Sequence, residues 1–92
     1  MTEIQSIFCM WGLDTVDVTN IRCQISAKRL ETSLRTIHRY LQHLFPQKEI
    51  CNGWMTKPNG AFDGRRPIDL ILEDGELGLD VVEKYLAGAM QR

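Results

Sequence analysis

Between residues 54 and 71 the chain reads WMTKPNGAFDGRRPIDLI, with Pro58, Gly60, Gly64 and Pro67 crowded together. No α-helix runs through such a stretch. Proline lacks the amide hydrogen and its ring collides with the preceding turn. The residue before each proline is pushed out of the α region as well. Pro58-Asn59-Gly60 predicts a tight turn, because Asn59 and Gly60 are the residue types that tolerate positive φ most readily. Gly64 offers a second unusual backbone angle. Pro67 then suits the first position of a new helix, with Asp69 near the positive end of its dipole. Phe62 is expected back in the core and Trp54 is expected as a core anchor.

Helical patterns flank this interruption. Over residues 27–45 the apolar positions Leu30, Leu34, Ile37, Leu41 and Leu44 follow one another at steps of 4, 3, 4 and 3. That spacing makes one stripe of a helix. Ser26 is placed to cap its start and Pro46 limits its end. Upstream, Ile4, Ile7, Phe8 and Trp11 predict a short helix that stops at Gly12. Asp14 is an N-cap candidate for a second helix, with Val16, Ile21 and Ile25 as its apolar side. A further short helix over 47–55 would turn Ile50, Cys51 and Trp54 inward. After Pro67, the run Ile68, Leu70, Ile71 and Leu72 calls for a nearly enclosed helix or a covering partner. Glu73-Asp74-Gly75 reads as a turn. A last helix over 76–90 carries Leu77, Val81, Val82, Tyr85, Leu86 and Ala89 as a broad apolar face, weakened locally by Gly78 and Gly88. The expected fold is all-α: a compact bundle of about five short helices, a Pro-Asn-Gly turn and a C-terminal helix. A chain of 92 residues supports one folded unit.

With 11 basic and 12 acidic side chains the net charge is -1. A duplex-binding domain usually carries a basic excess. Here there is only a local group, Lys28, Arg29, Arg35 and Arg39. No apolar run is long enough to span a bilayer, so no membrane role is expected. The N-terminus has no basic segment ahead of an apolar one and does not read as a signal peptide. Cys9, Cys23 and Cys51 are scattered, with no CxxC pair, as free thiols in a reducing cytoplasm would be. His38 and His43 are five apart and do not stack on one helix face. The acidic neighbourhood of Asp63, Asp69, Glu73, Asp74 and Glu76 lacks calcium-loop spacing. No nucleotide-binding or hydrolase motif is present. The expectation is no enzyme, no catalytic residues, no metal and no cofactor, and a protein that works by binding.

Leu44-Phe45-Pro46, Trp54-Met55, Pro58-Asn59, Phe62, Gly64, Pro67-Ile68-Asp69-Leu70 and Tyr85-Leu86 together form a pattern. It resembles the toxin-binding domain of Xre/MbcA/ParS-type antitoxins. The Ile7-Phe8 to Trp11-Gly12-Leu13 start is similar to the first helix of the shorter, MbcA-like members. The resemblance implies an antitoxin of a type II toxin-antitoxin system. Its partner would be a RES-domain toxin, which consumes NAD or transfers ADP-ribose, and the antitoxin would block the toxin's NAD site. Carried onto this chain, the partner-binding residues are Lys84, Tyr85, Met90, Gln91 and Arg92. Trp54, Pro58, Asn59, Phe62, Gly64 and Pro67 would shape the domain. Residues 27–92 would be the toxin-binding part, and 1–26 a shortened or degenerate helix-turn-helix part. Lys28, Arg29, Arg35 and Arg39 would then be the remnant of a DNA contact. The alternatives are a small DNA-binding transcription regulator of the same family and an orphan protein-interaction module. Apolar excess on the first and last helices points to a partner or to homo-oligomers.

Overall fold

The longest helix organises the packing. In the computed structural model, which describes residues 3–91, it spans Ala27–Leu44 and is the third helix of the chain, α3. Its N-cap is the expected Ser26, whose hydroxyl accepts the Arg29 amide hydrogen at 3.4 Å. The Phe45 amide closes the last turn on the Leu41 carbonyl at 2.8 Å, just before Pro46. Leu30, Leu34, Ile37 and Leu41 are fully buried, and Leu44 lies at the core's edge.

Before α3 come α1 (Glu3–Met10) and α2 (Thr15–Gln24). After it come α4 (Lys48–Gly53), α5 (Pro67–Asp74) and α6 (Glu76–Met90), with short 3-10 turns at Trp54–Thr56 and Gly60–Phe62. The described residues thus hold six α-helices and no strand, the all-α bundle expected. The Cα radius of gyration is 12.1 Å, against ~12 Å expected for a folded chain of this length.

One core serves the whole assembly. Ile4, Ile7, Phe8 and Trp11 bring α1 onto it. Leu79, Val82 and Leu86 bring α6. Helix α6 packs against both α3 and α5. Helix α5 is enclosed as its composition requires, with Pro67, Ile68, Leu70 and Ile71 all buried. At its start the Asp69 carboxylate accepts the Arg66 amide hydrogen at 3.1 Å.

Three local expectations are corrected. Val16 is exposed, and Ile25 is buried from the extended residue that ends α2. The Asp17 amide caps the helix start on Asp14 at 2.8 Å, and Val16, five residues before the buried Ile21, lies ~140° around the helix from it and so faces outward. In place of an apolar face, α2 is held by Ile21 and by the Gln24 side chain. That amide donates to the Leu72 carbonyl at 2.8 Å, satisfying an otherwise open group near the end of α5. In α4 Ile50 is 46% exposed, while Cys51 and, in the 3-10 turn that follows, Met55 are the buried pair. Those two are four residues apart and share a face that Ile50, one step earlier, cannot share. Burial pushes the Cys51 thiol pKa up.

The third correction is at the turn. Asn59 is extended (φ -132°), and positive φ falls at Asp63 (58°) and Gly64 (81°) instead of at Asn59 and Gly60. Asn59 acts through hydrogen bonds. Its side chain accepts the Ala61 amide hydrogen at 2.9 Å. Its carbonyl accepts from the amides of Phe62 and Gly64, both at 3.0 Å, and its own amide donates to the Arg65 carbonyl at 3.1 Å. An extended Asn capping a short helical turn does not need the left-handed region. The reversal is left to the two residues that close the loop.

Candidate partner-binding surface

Gly78 decides how α6 sits. A Cβ built there would stand 1.9 Å from the Leu70 carbonyl oxygen. Only glycine permits so close a crossing of α5 and α6. The residue expected merely to weaken the helix is the one that seats it. Gly75 alone joins the two helices, at φ 58° and ψ -124°.

With Gly78 against α5, the inward face of α6 is Gly75, Gly78, Leu79, Val82 and Leu86. The opposite face is then forced into solvent. Leu77 is 73% exposed, Val81 48% and Tyr85 42%. The broad apolar face expected of Leu77, Val81, Val82, Tyr85, Leu86 and Ala89 is thus divided, with Val82 and Leu86 turned inward and Leu77, Val81 and Tyr85 outward. At 3.6 residues per turn, Leu77, Val81, Lys84 and Gly88 lie within ~60° of arc. All four are exposed, and Tyr85 flanks them.

Tyr85 is not loose. Its ring stacks on Trp54 at 6.1 Å between centroids and 18° between planes. Phe62 meets the Tyr85 ring edge-on at 5.1 Å and the Trp54 ring at 6.3 Å. Trp54 therefore lies on the rim of the core and supports a surface residue, instead of anchoring the interior. The fully buried tryptophan is Trp11. The Asn59-centred loop holds Phe62 under this aromatic group, so the shape-setting residues and the surface of α6 meet here.

Charges around the surface are mostly paired. Arg29 of α3 bonds Asp80 of α6. Arg65 bonds Glu73. Arg66 bonds Asp69 at 2.7 Å, and that pairing lowers the Asp69 pKa. Glu83 faces α3, where burial raises its pKa against the opposing pull of Arg29 and a hydrogen bond from Ser33.

Of the residues expected to bind a partner, Lys84 and Tyr85 fall on the exposed face of α6. Met90 is half-buried, Gln91 is exposed, and Arg92 lies outside the described residues. Leu77 and Val81, outside that expected set, are exposed on the same face. The signal that finds them is Gly78 together with Leu79, which with Val82 and Leu86 completes a tighter stripe than the one the apolar letters suggest. Of the basic group, Lys28, Arg35 and Arg39 share one exposed face of α3, while Arg29 points to α6. Arg35 also bonds Glu31 at 3.3 Å. Arg35, His38, Arg39 and Gln42 line a shallow depression of about 210 Å³. A larger cleft of about 430 Å³ opens between α1, α3 and α4, beside Met10, Phe45 and Cys51. No described residues form a metal-binding cluster, and no described helix is long and apolar enough to cross a membrane.

A family model for the antitoxin Xre/MbcA/ParS C-terminal toxin-binding domain matches residues 40–89, which take in the aromatic group and almost all of α6. No curated protein and no solved structure gives a significant match.

Proposed function

This chain belongs to the Xre/MbcA/ParS antitoxin family through its C-terminal toxin-binding domain, and on that premise we propose that it neutralises a RES-domain toxin in the cytoplasm by covering the toxin's NAD site with α6. The observation that carries this reading is the row of exposed apolar side chains on α6. A row that includes Leu77, Val81 and Tyr85 is costly to leave in water. Removing a Leu or Val side chain from solvent is worth ~1.5–3 kcal/mol. Tyr85, held by Trp54 and Phe62, is the rigid aromatic anchor that dominates many interfaces. Lys84, Met90, Gln91 and Arg92 are the further residues assigned to the contact with the toxin's nucleotide cleft. Inhibition of this kind is steric and asks no chemistry of the antitoxin. Residues 27–92 act as the toxin-binding part, and 1–26 stand in for a shortened DNA-binding part.

The test is co-expression with the protein encoded beside this chain, followed by pull-down and measurement of cellular NAD. The wild-type chain should form a complex and preserve NAD. Val81→Asp should fold but lose both. Full neutralisation by Val81→Asp would overturn the assignment of α6.

A second reading rests on α3. Lys28, Arg35 and Arg39 occupy one face over ~16 Å of helix, a length suited to successive phosphates. It predicts binding to the chain's own promoter DNA, with affinity falling steeply as salt rises. Absence of a gel shift at low salt would remove it.

A further inference from the structure

The cleft between α1, α3 and α4 continues into the depression beside it. Its apolar wall is Met10, Phe45, Pro46 and Cys51, and His38 and Gln42 line its α3 side. His38 and Gln42 also line the shallower depression, together with Arg35 and Arg39. The two hollows, of about 430 and 210 Å³, therefore meet across one turn of α3, and an apolar chamber opens onto a basic one. The break in the helices makes the room. Helix α3 ends at Leu44, Pro46 bars its continuation, and α4 starts at Lys48, which adds a cation to the cleft. Among the described residues no acidic side chain lines either hollow. Arg35 is engaged with Glu31, but neither Arg39 nor Lys48 is in an ion pair among the described residues. No residue of α5 or α6 takes part, so the hollow is separate from the aromatic surface.

We infer that this double hollow binds a small organic anion, with its apolar body in the chamber beside Phe45 and Met10 and its acidic group toward Arg39. Clefts that hold small molecules run to ~300–1,000 Å³ and are mostly apolar, with a few polar groups that fix orientation. The larger hollow has that size and lining. The guanidinium of Arg39 suits a carboxylate, sulfonate or phosphate group, which it can hold with paired hydrogen bonds. A neutral compound would forgo the cations, and a bare inorganic anion would leave the apolar wall wet. This inference does not depend on how α6 is used.

The experiment titrates the purified full chain with two fluorescent probes, anilinonaphthalene sulfonate and phenylnaphthylamine, which share one apolar body and differ by the sulfonate. The sulfonate should bind saturably and about tenfold more tightly than its uncharged counterpart. It should also raise the melting temperature, as a ligand of the folded state does. Arg39→Gln should remove most of the preference for the sulfonate. Met10→Asp, at a 40% exposed position on the apolar wall, should abolish binding of both probes, and thermal unfolding of the free variants checks that each is folded. Val81→Asp should bind both probes as the wild type does. Equal affinity of the wild type for the two probes would overturn the inference, as would a preference that survives in both Arg39→Gln and Lys48→Gln. Loss of binding in Val81→Asp with Met10→Asp unaffected would move the probe to α6 and overturn it too, and so would the absence of saturable binding.

Discussion

The ring of Tyr85 lies nearly parallel to that of Trp54, 6.1 Å away, so a residue of the last helix is held by one from the 3-10 turn after α4. Aromatic pairs of this kind contribute ~0.5–1.5 kcal/mol beyond their buried area. Trp54→Ala should therefore cost about 2 kcal/mol of stability and also weaken toxin binding, although Trp54 is only half-exposed. Tyr85→Ala should cost less stability and more affinity. Chemical denaturation and binding measured on the same two variants test the division.

Gly78→Ala should be among the most damaging single changes in the chain. The added methyl group would overlap the Leu70 carbonyl, and α6 must shift bodily to admit it. Overpacking of a tight contact costs 1–3 kcal/mol or more, and about 3 kcal/mol is expected here. A domain of this size loses ~4–8 °C per kcal/mol, so thermal unfolding followed by circular dichroism should show a fall of at least ten degrees. Gly88→Ala in the same helix should show a rise.

Asp69 and Glu83 should respond to pH in opposite directions. Arg66 lowers the Asp69 pKa. Its stabilising effect is therefore complete above the ordinary Asp value and is lost as pH falls through the lower folded value. The stability gap between wild type and Asp69→Asn should be about 1 kcal/mol at pH 7 and shrink in acid. Burial raises the Glu83 pKa, so folding favours its protonated form and Glu83 gains stability as pH falls. Glu83→Gln should stabilise the protein at pH 7 and do so less at pH 4. Urea titrations across pH check both signs.

The three thiols should separate by reactivity. Cys9 and Cys23 are exposed and Cys51 is buried, with its pKa raised. A thiol reagent at pH 7.5 should modify Cys9 and Cys23 quickly and Cys51 only at the rate of local opening. Mass spectrometry of a timed reaction would show it.

What could be read without coordinates was whatever local chemistry determines. The stripe from Leu30 to Leu44, the caps at Asp14 and Ser26, and Pro67 at a helix start all follow from rules that act within a few residues. The errors share a cause. Periodicity says which residues are apolar, but where apolar residues cover more than one face, tertiary contact picks the buried one. In α6 that contact is Gly78 on Leu70, and it sends Leu77 and Val81 outward. Ile50 is displaced in the same way by the Cys51–Met55 face. At Asn59 the type of turn residue was legible. That its side chain would cap the Gly60–Phe62 turn, leaving positive φ to Asp63 and Gly64, depended on a hydrogen-bond pattern spanning seven residues.

Helix α6 has two sides, and each has its own task. Leu79, Val82 and Leu86 complete the hydrophobic core, while Leu77, Val81 and Tyr85 face outward into solvent. A molecule clipped without α6 would lose Leu79, Val82 and Leu86 from the core and uncover the part of α3 that α6 covers, so the outward face of this helix cannot be removed without opening the interior that carries it.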